Sequence, residues 1–192
     1  MKAIDKIRNN LIDTRGIEKA VLIAFLQVES GGKGFAPDGR LIIQFEPHWF
    51  RKQASYAPTG AWSVNKIDRQ SAEWIAFNDA AQHDASAAIE ATSLGLPQIM
   101  GFHWKRLGYA SAHAMWDSFS ASEENQLDAL IRFIETDKNL HKAILEKDWH
   151  KIAMIYNGAG YAALAHKIGR EPYNVSMQKA YAAEIARAQE LN

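Results

Sequence analysis

The chain contains no cysteine. That excludes disulfides, zinc–thiolate sites and thiol nucleophiles, and it leaves the compartment open, because redox conditions then have nothing to attack in the fold. There is no excess of charge of either sign: 22 Lys and Arg balance 22 Asp and Glu. No global basic field points to nucleic acid, and no acidic excess points to disorder. No run approaches the roughly 18 apolar residues of a membrane span, so stable membrane insertion is not expected. The opening MKAIDKIRNNLIDTRG is polar and lacks an apolar signal core, so a protein working outside the cytoplasm would be carried there by something else. The seven histidines show no HExxH or comparable spacing, and no metal or organic cofactor is expected. Repeats, low-complexity tracts and dividing linkers are absent too. The expectation is one domain over residues 1–192, with no second domain and room for a sizeable core.

What is present centres on AVLIAFLQVESGG, residues 20–32. Ile17, Ala20, Val21, Ala24, Phe25 and Val28 recur at helical spacing, and Gly31-Gly32 supplies a left-handed stop. Glu29 therefore falls in the last turn, at the negative end of the helix dipole, where an ionised carboxylate is disfavoured. Shielding by apolar groups would raise its pKa further and keep it protonated, as a general acid must be. The plainer reading is a solvated glutamate at a helix end.

Around this helix the chain reads as mostly α. A first helix is expected within residues 1–13, with Ile4, Ile7, Leu11 and Ile12 on one side. Asp38-Gly39 is a turn signal, and Leu41–Phe45 is short, apolar and partly β-branched, giving a small hairpin or ribbon near 38–46. Residues 52–70 read as loop, with the clearest break at Ala57-Pro58-Thr59-Gly60. From Ser71 onward helices are expected almost throughout, including Asp84–Thr92, a short one over Gln98–Leu107, one opened by Ser122, one over Asn139–Tyr156 and a tail over 175–191.

Two further stretches look over-specified for packing: GLPQIMG at 95–101 and YNGAGY at 156–161. Gln98 can donate and accept, and Tyr156 and Asn157 precede the stop at Gly158. Tyrosine, asparagine and glutamine beside a protonated acid suit a sugar cleft; singly, each is more simply a helix cap or a surface amide. In this order they resemble the lysozyme-like superfamily, which includes goose-type lysozymes and soluble lytic transglycosylases. VESGGKGFAPDGRLIIQFEPHWF, LGLPQIMGFHW and AMIYNGAGY together resemble the N-acetylmuramidase domain of phage endolysins, over roughly Ile17 to Leu191.

The resemblance implies a lysozyme-like fold and cleavage of the β-1,4 bond between N-acetylmuramic acid and N-acetylglucosamine in bacterial peptidoglycan. It makes Glu29 the catalytic acid and Gln98, Tyr156 and Asn157 cleft-lining groups, with Ser30 fixing the geometry around Glu29. Leu94 stands where relatives often carry Trp, and His103 where an Asn is frequent; these departures bear on subsite detail. A glycosidase generally needs a second carboxylate. Glu46, after the short strand, is the first candidate, flanked by Phe45 and Trp49; its structural alternative is pairing with Arg40, Arg51 or His48. Asp38 is held in reserve, most simply a turn residue, and Asp84 is weaker still and fits a helix cap. His48 is placed to hydrogen-bond a carboxylate and His103 to line the cleft, while Trp62 and Trp104 are the tryptophans nearest loops. The expected partner is peptidoglycan, engaged by a monomer made in the bacterial cytoplasm and acting on the wall after release through a holin or delivery as an effector. A lytic transglycosylase and a non-catalytic wall-binding or virion structural module remain open alternatives.

Overall fold

In the computed structural model of the chain, residues 2–54 and 69–190 are described. The Ala57–Gly60 break and Trp62 lie outside them. The described residues divide into two compact units, one formed by 1–32 with 131–192 and the other by 33–130.

The first unit is helical. Helix α1 (Ala3–Arg8) is shorter than the periodicity predicts. Asn10 takes a left-handed φ of 56°, Leu11 N–H donates to Lys6 O and Asn10 N–H to Ile7 O. That Schellman closure leaves Leu11 on the surface rather than beside the buried Ile4 and Ile7. Helix α2 (Lys19–Ser30) is the core of the unit: every residue from Ala20 to Leu26 is buried, so it is apolar all round rather than on one stripe. It ends as expected. Gly31 is left-handed at φ 61°, with its N–H on Gln27 O at 3.0 Å. Against α2 packs α11 (Tyr173–Glu190), with α8 (Lys138–Glu146), α9 (Trp149–Tyr156) and α10 (Tyr161–Lys167) completing the unit. The single helix expected over Asn139–Tyr156 is thus two. Lys147 is left-handed at φ 53° and Asp148 caps the second by accepting from Lys151 N–H. Arg8 forks onto Glu184 at 2.7 and 2.5 Å, tying α1 to α11.

The second unit carries a three-stranded antiparallel sheet in the order β1 (Ile43–Phe45), β2 (Thr92–Leu94), β3 (Ile99–Met100). The expected ribbon near 38–46 is there as a Phe35–Leu41 bridge closed over the Asp38-Gly39 turn, but β1 finds its ladder partner far along the chain, with Ile43 opposite Leu94 and Phe45 opposite Thr92. Its other edge is covered by side chains of α4 (Gln70–His83). Gln70 accepts from Ile43 N–H at 3.0 Å and donates to Ile43 O at 2.6 Å, and Glu73 accepts from Phe45 N–H at 2.7 Å.

Helix α3 (Pro47–Gln53) follows β1, and α5 (Ala85–Glu90), capped by Asp84 as the cap reading expects, leads into β2. The helix expected over Gln98–Leu107 is instead β3 and a short 3-10 turn at Gly101–His103. Helix α6 (Ala112–Ala121) precedes α7 (Glu123–Glu135), whose first turn is capped by the Ser122 hydroxyl at 3.2 Å from Asn125 N. At Gly101 an added Cβ would lie 2.0 Å from the Ile89 carbonyl oxygen. Gly101→Ala is therefore expected to cost about 3 kcal/mol, the upper end for overpacking because backbone yields less than side chain. A chemical-denaturation midpoint equal to wild type would contradict this packing.

Candidate active site

Phe25 and Glu29 are one turn apart on α2 and share a face. Beside them the first unit assembles an aromatic wall. Tyr156, the last residue of α9, packs on Phe25 at 5.0 Å between ring centroids and on Phe133 at 5.4 Å. Tyr173, the first residue of α11, lies nearly parallel to Tyr156 at 6.3 Å. The Tyr173 hydroxyl donates a hydrogen bond to Glu29 Oε1.

Burial raises the Glu29 pKa to about 7, and the Tyr173 hydrogen bond, which favours the ionised form, pulls the other way. Desolvation thus outweighs the one specific partner. The Tyr173 phenol is itself pushed well above its usual range, first by burial and then by the charge of Glu29, so it remains a donor. The upward pKa shift expected for a shielded Glu29 is thus carried by burial. Ser30, next in the chain, turns its hydroxyl back to Leu26 O at 3.2 Å and holds the helix end. Asn157 caps α9, with its N–H on Ala153 O, and Gly158 follows at φ 93°. The Asn157 side chain is exposed and makes no hydrogen bond among the described residues. Glu29, Ser30, Tyr156 and Asn157 all belong to this unit.

The remaining predicted residues belong to the second unit. Glu46 stands between β1 and α3, half-buried, accepting from Gln44 Nε2 at 2.9 Å with His48 Nδ1 at 3.4 Å. Burial raises its pKa against the opposing influences of His48 and Gln44. Of the pairings considered for Glu46, His48 is the one formed in this geometry. Arg40 goes to Asp38, at 2.7 and 2.8 Å, and Asp38 also accepts from Arg40 N–H. These contacts hold the exposed Asp38 carboxyl below the usual carboxylate range, an arrangement suited to bracing a turn.

Gln98 sits in the β2–β3 loop with a left-handed φ of 50° and donates through Nε2 to Gly95 O at 2.7 Å, so its amide closes the loop. His103 is half-buried against Phe102, at 4.3 Å between centroids; burial and then the charge of Arg106 lower its pKa to about 4, leaving it neutral at pH 7. Trp104 is engaged through its indole N–H on Glu90 at 2.8 Å.

Two residues escaped sequence reasoning. Tyr173 lies just ahead of the tail helix expected from 175; the signal was Pro172, which marks a helix start and puts Tyr173 in the first turn. Gln126, a polar residue near the start of α7, is fully buried. Nothing in its sequence neighbourhood announces that.

Among the described residues no helix is long and apolar enough to cross a membrane, and no group of three or more His, Asp or Glu is placed to hold a metal. No curated protein matches the chain. Among solved structures, the crystal structure of the Burkholderia AP3 phage endolysin matches with a TM-score of 0.76 and 35% sequence identity, covering 96% of this chain and 71% of that one. The mostly helical architecture with its small antiparallel sheet is that endolysin's lysozyme-like fold. A family model described as Muramidase, N-acetylmuramidase, matches residues 18–184, from the residue preceding α2 deep into α11. A match of that extent reaches every residue singled out above, and by it the chain belongs to the N-acetylmuramidase family of peptidoglycan hydrolases.

Proposed function

We propose that the chain hydrolyses the β-1,4 bond between N-acetylmuramic acid and N-acetylglucosamine, with Glu29 as general acid. The observation that carries this is the desolvated Glu29 carboxyl, protonated up to about pH 7 and oriented by Tyr173. Such a group can give its proton to the glycosidic oxygen as the bond to the anomeric carbon breaks. Glu46 is the proposed second carboxylate; its raised pKa makes it a stronger base, once ionised, than a solvated glutamate. Asn157 offers a free amide to substrate hydroxyl or acetamido groups, and Gln98, Tyr156, His48 and His103 shape the surfaces around the sugar. We assign the 192 residues to one catalytic domain acting as a monomer, in the setting of phage lysis, with the enzyme made in the host cytoplasm and released to the wall.

The test is the product. Purified peptidoglycan is digested, reduced with borohydride and analysed by mass spectrometry. Reduced muramic acid ends are expected. Anhydromuramic ends would overturn the hydrolytic reading in favour of transglycosylation, and reduced glucosamine ends would move the cleavage to the other bond.

Tyr173→Phe probes the acid directly. Loss of the donor removes a hydrogen bond to a charged group worth about 1.5 kcal/mol, or roughly tenfold in kcat/KM. Because that bond favours ionised Glu29, its removal raises the Glu29 pKa, and the alkaline limb of the pH–rate profile should move to higher pH. A limb that stays in place would show that Tyr173 does not govern the titrating group.

A further inference from the structure

Most tryptophans of the second unit are committed to packing. Trp74 donates its indole N–H to Leu41 O at 3.2 Å and meets Trp116, which stacks flat on Phe77 at 4.7 Å and 2°; Trp104 is held by Glu90. Trp49 is different. It sits half-buried on α3, and its indole N–H makes no hydrogen bond among the described residues. Its ring contacts Phe102 at 5.1 Å and His48 at 5.5 Å, both also half-buried, and the exposed Lys52 holds its ammonium 4.4 Å from the Trp49 centroid.

These contacts join into one partly exposed surface, running from Glu46 through His48, Trp49 and Phe102 to His103. Flat apolar rings lie along its middle and hydrogen-bonding groups at its ends. That is the complement of a pyranose, whose one face carries C–H groups and whose rim carries hydroxyl and acetamido groups. A lysine resting on the open face of a half-buried ring is weakly held and leaves on a flexible stem.

We propose that Trp49 and Phe102 form a stacking platform for an N-acetylhexosamine ring of the glycan strand, with Lys52 as the cover that the sugar displaces. The proposal deepens the peptidoglycan reading and rests on it for the identity of the polymer. The platform recognises the sugar backbone, not the peptide stem.

The test uses the Glu29→Gln protein, titrated with a short β-1,4 N-acetylglucosamine oligomer that carries no peptide, following tryptophan fluorescence. Saturable binding is expected. Trp49→Ala should weaken it about tenfold, and Trp49→Phe, the variant safer for folding, should keep binding within about threefold while losing most of the fluorescence change. Lys52→Ala should bind two- to threefold tighter, because the ring face is then uncovered. Tenfold weaker binding by Lys52→Ala would overturn the proposal, because Lys52 would then hold the sugar rather than cover the ring. Unchanged binding by a folded Trp49→Ala would overturn it as well. The outcome is separable from catalysis: oligomer binding that depends on Trp49 would uphold the platform even if digestion gave no muramic acid ends.

Discussion

Glu29→Gln should lower peptidoglycan hydrolysis about 10²–10⁴-fold, the usual contribution of a positioned general acid, while binding to purified sacculi persists. Glutamine keeps the shape and an acceptor for Tyr173 but has no proton to give. The same substitution should change stability in a way that depends on pH. The Glu29 carboxyl titrates at about 7 in the folded chain against 4.5 for the ordinary group. A pKa raised by folding means that the unfolded chain releases its proton first. Stability from this group is therefore fully present below pH 4.5 and declines as pH rises through 7, by about 3 kcal/mol in all. Glutamine does not titrate. The stability difference between variant and wild type should be near zero at pH 4 and grow to about 3 kcal/mol in favour of the variant at pH 8. Urea denaturation at the two pH values measures it. A constant difference would show that Glu29 is solvated, and the acid assignment would fall with it; unchanged lysis by the variant would remove the assignment outright.

The largest structural effect is expected at Gln126. Its side chain is fully buried; Oε1 accepts the Leu96 N–H at 2.8 Å and Nε2 donates to Phe119 O at 2.7 Å. Two glycines make room for it, since a Cβ at Gly34 or Gly95 would stand 2.3 or 2.5 Å from Gln126 Oε1. Gln126→Leu keeps the volume but strands a buried N–H and a buried carbonyl, each costing about 1–3 kcal/mol, so about 4 kcal/mol of stability should be lost. Because Leu96 opens the loop that carries Gln98, activity should fall below the unfolding midpoint as well. A loss under about 1 kcal/mol in chemical denaturation would mean that water replaces the amide.

The helix bearing Glu29 was legible because its signals are local: an apolar run, then two glycines. The caps at Asp84 and Ser122 were legible for the same reason. Strands β2 and β3 were not. They are two or three residues long, and Thr92, Ser93 and Leu94 are all buried, so no polar alternation marks them within an alanine-rich, helix-like context. The break between α8 and α9 rests on Lys147 adopting a left-handed turn that its residue type does not advertise. Glu29 and Tyr173 are 144 positions apart, and only tertiary packing of α11 on α2 joins them. Asp38 illustrates the converse: the Asp38-Gly39 pair signalled a turn, and a turn it makes.

The side chains of Gln70 and Glu73 stand where a fourth strand would lie against β1. They give Ile43 and Phe45 the hydrogen bonds that a neighbouring chain would otherwise offer. An open strand edge is an invitation to polymerise, and this one is already taken. The sheet can stay three strands wide and still present no template along β1, so edge-to-edge growth has no starting point on that side.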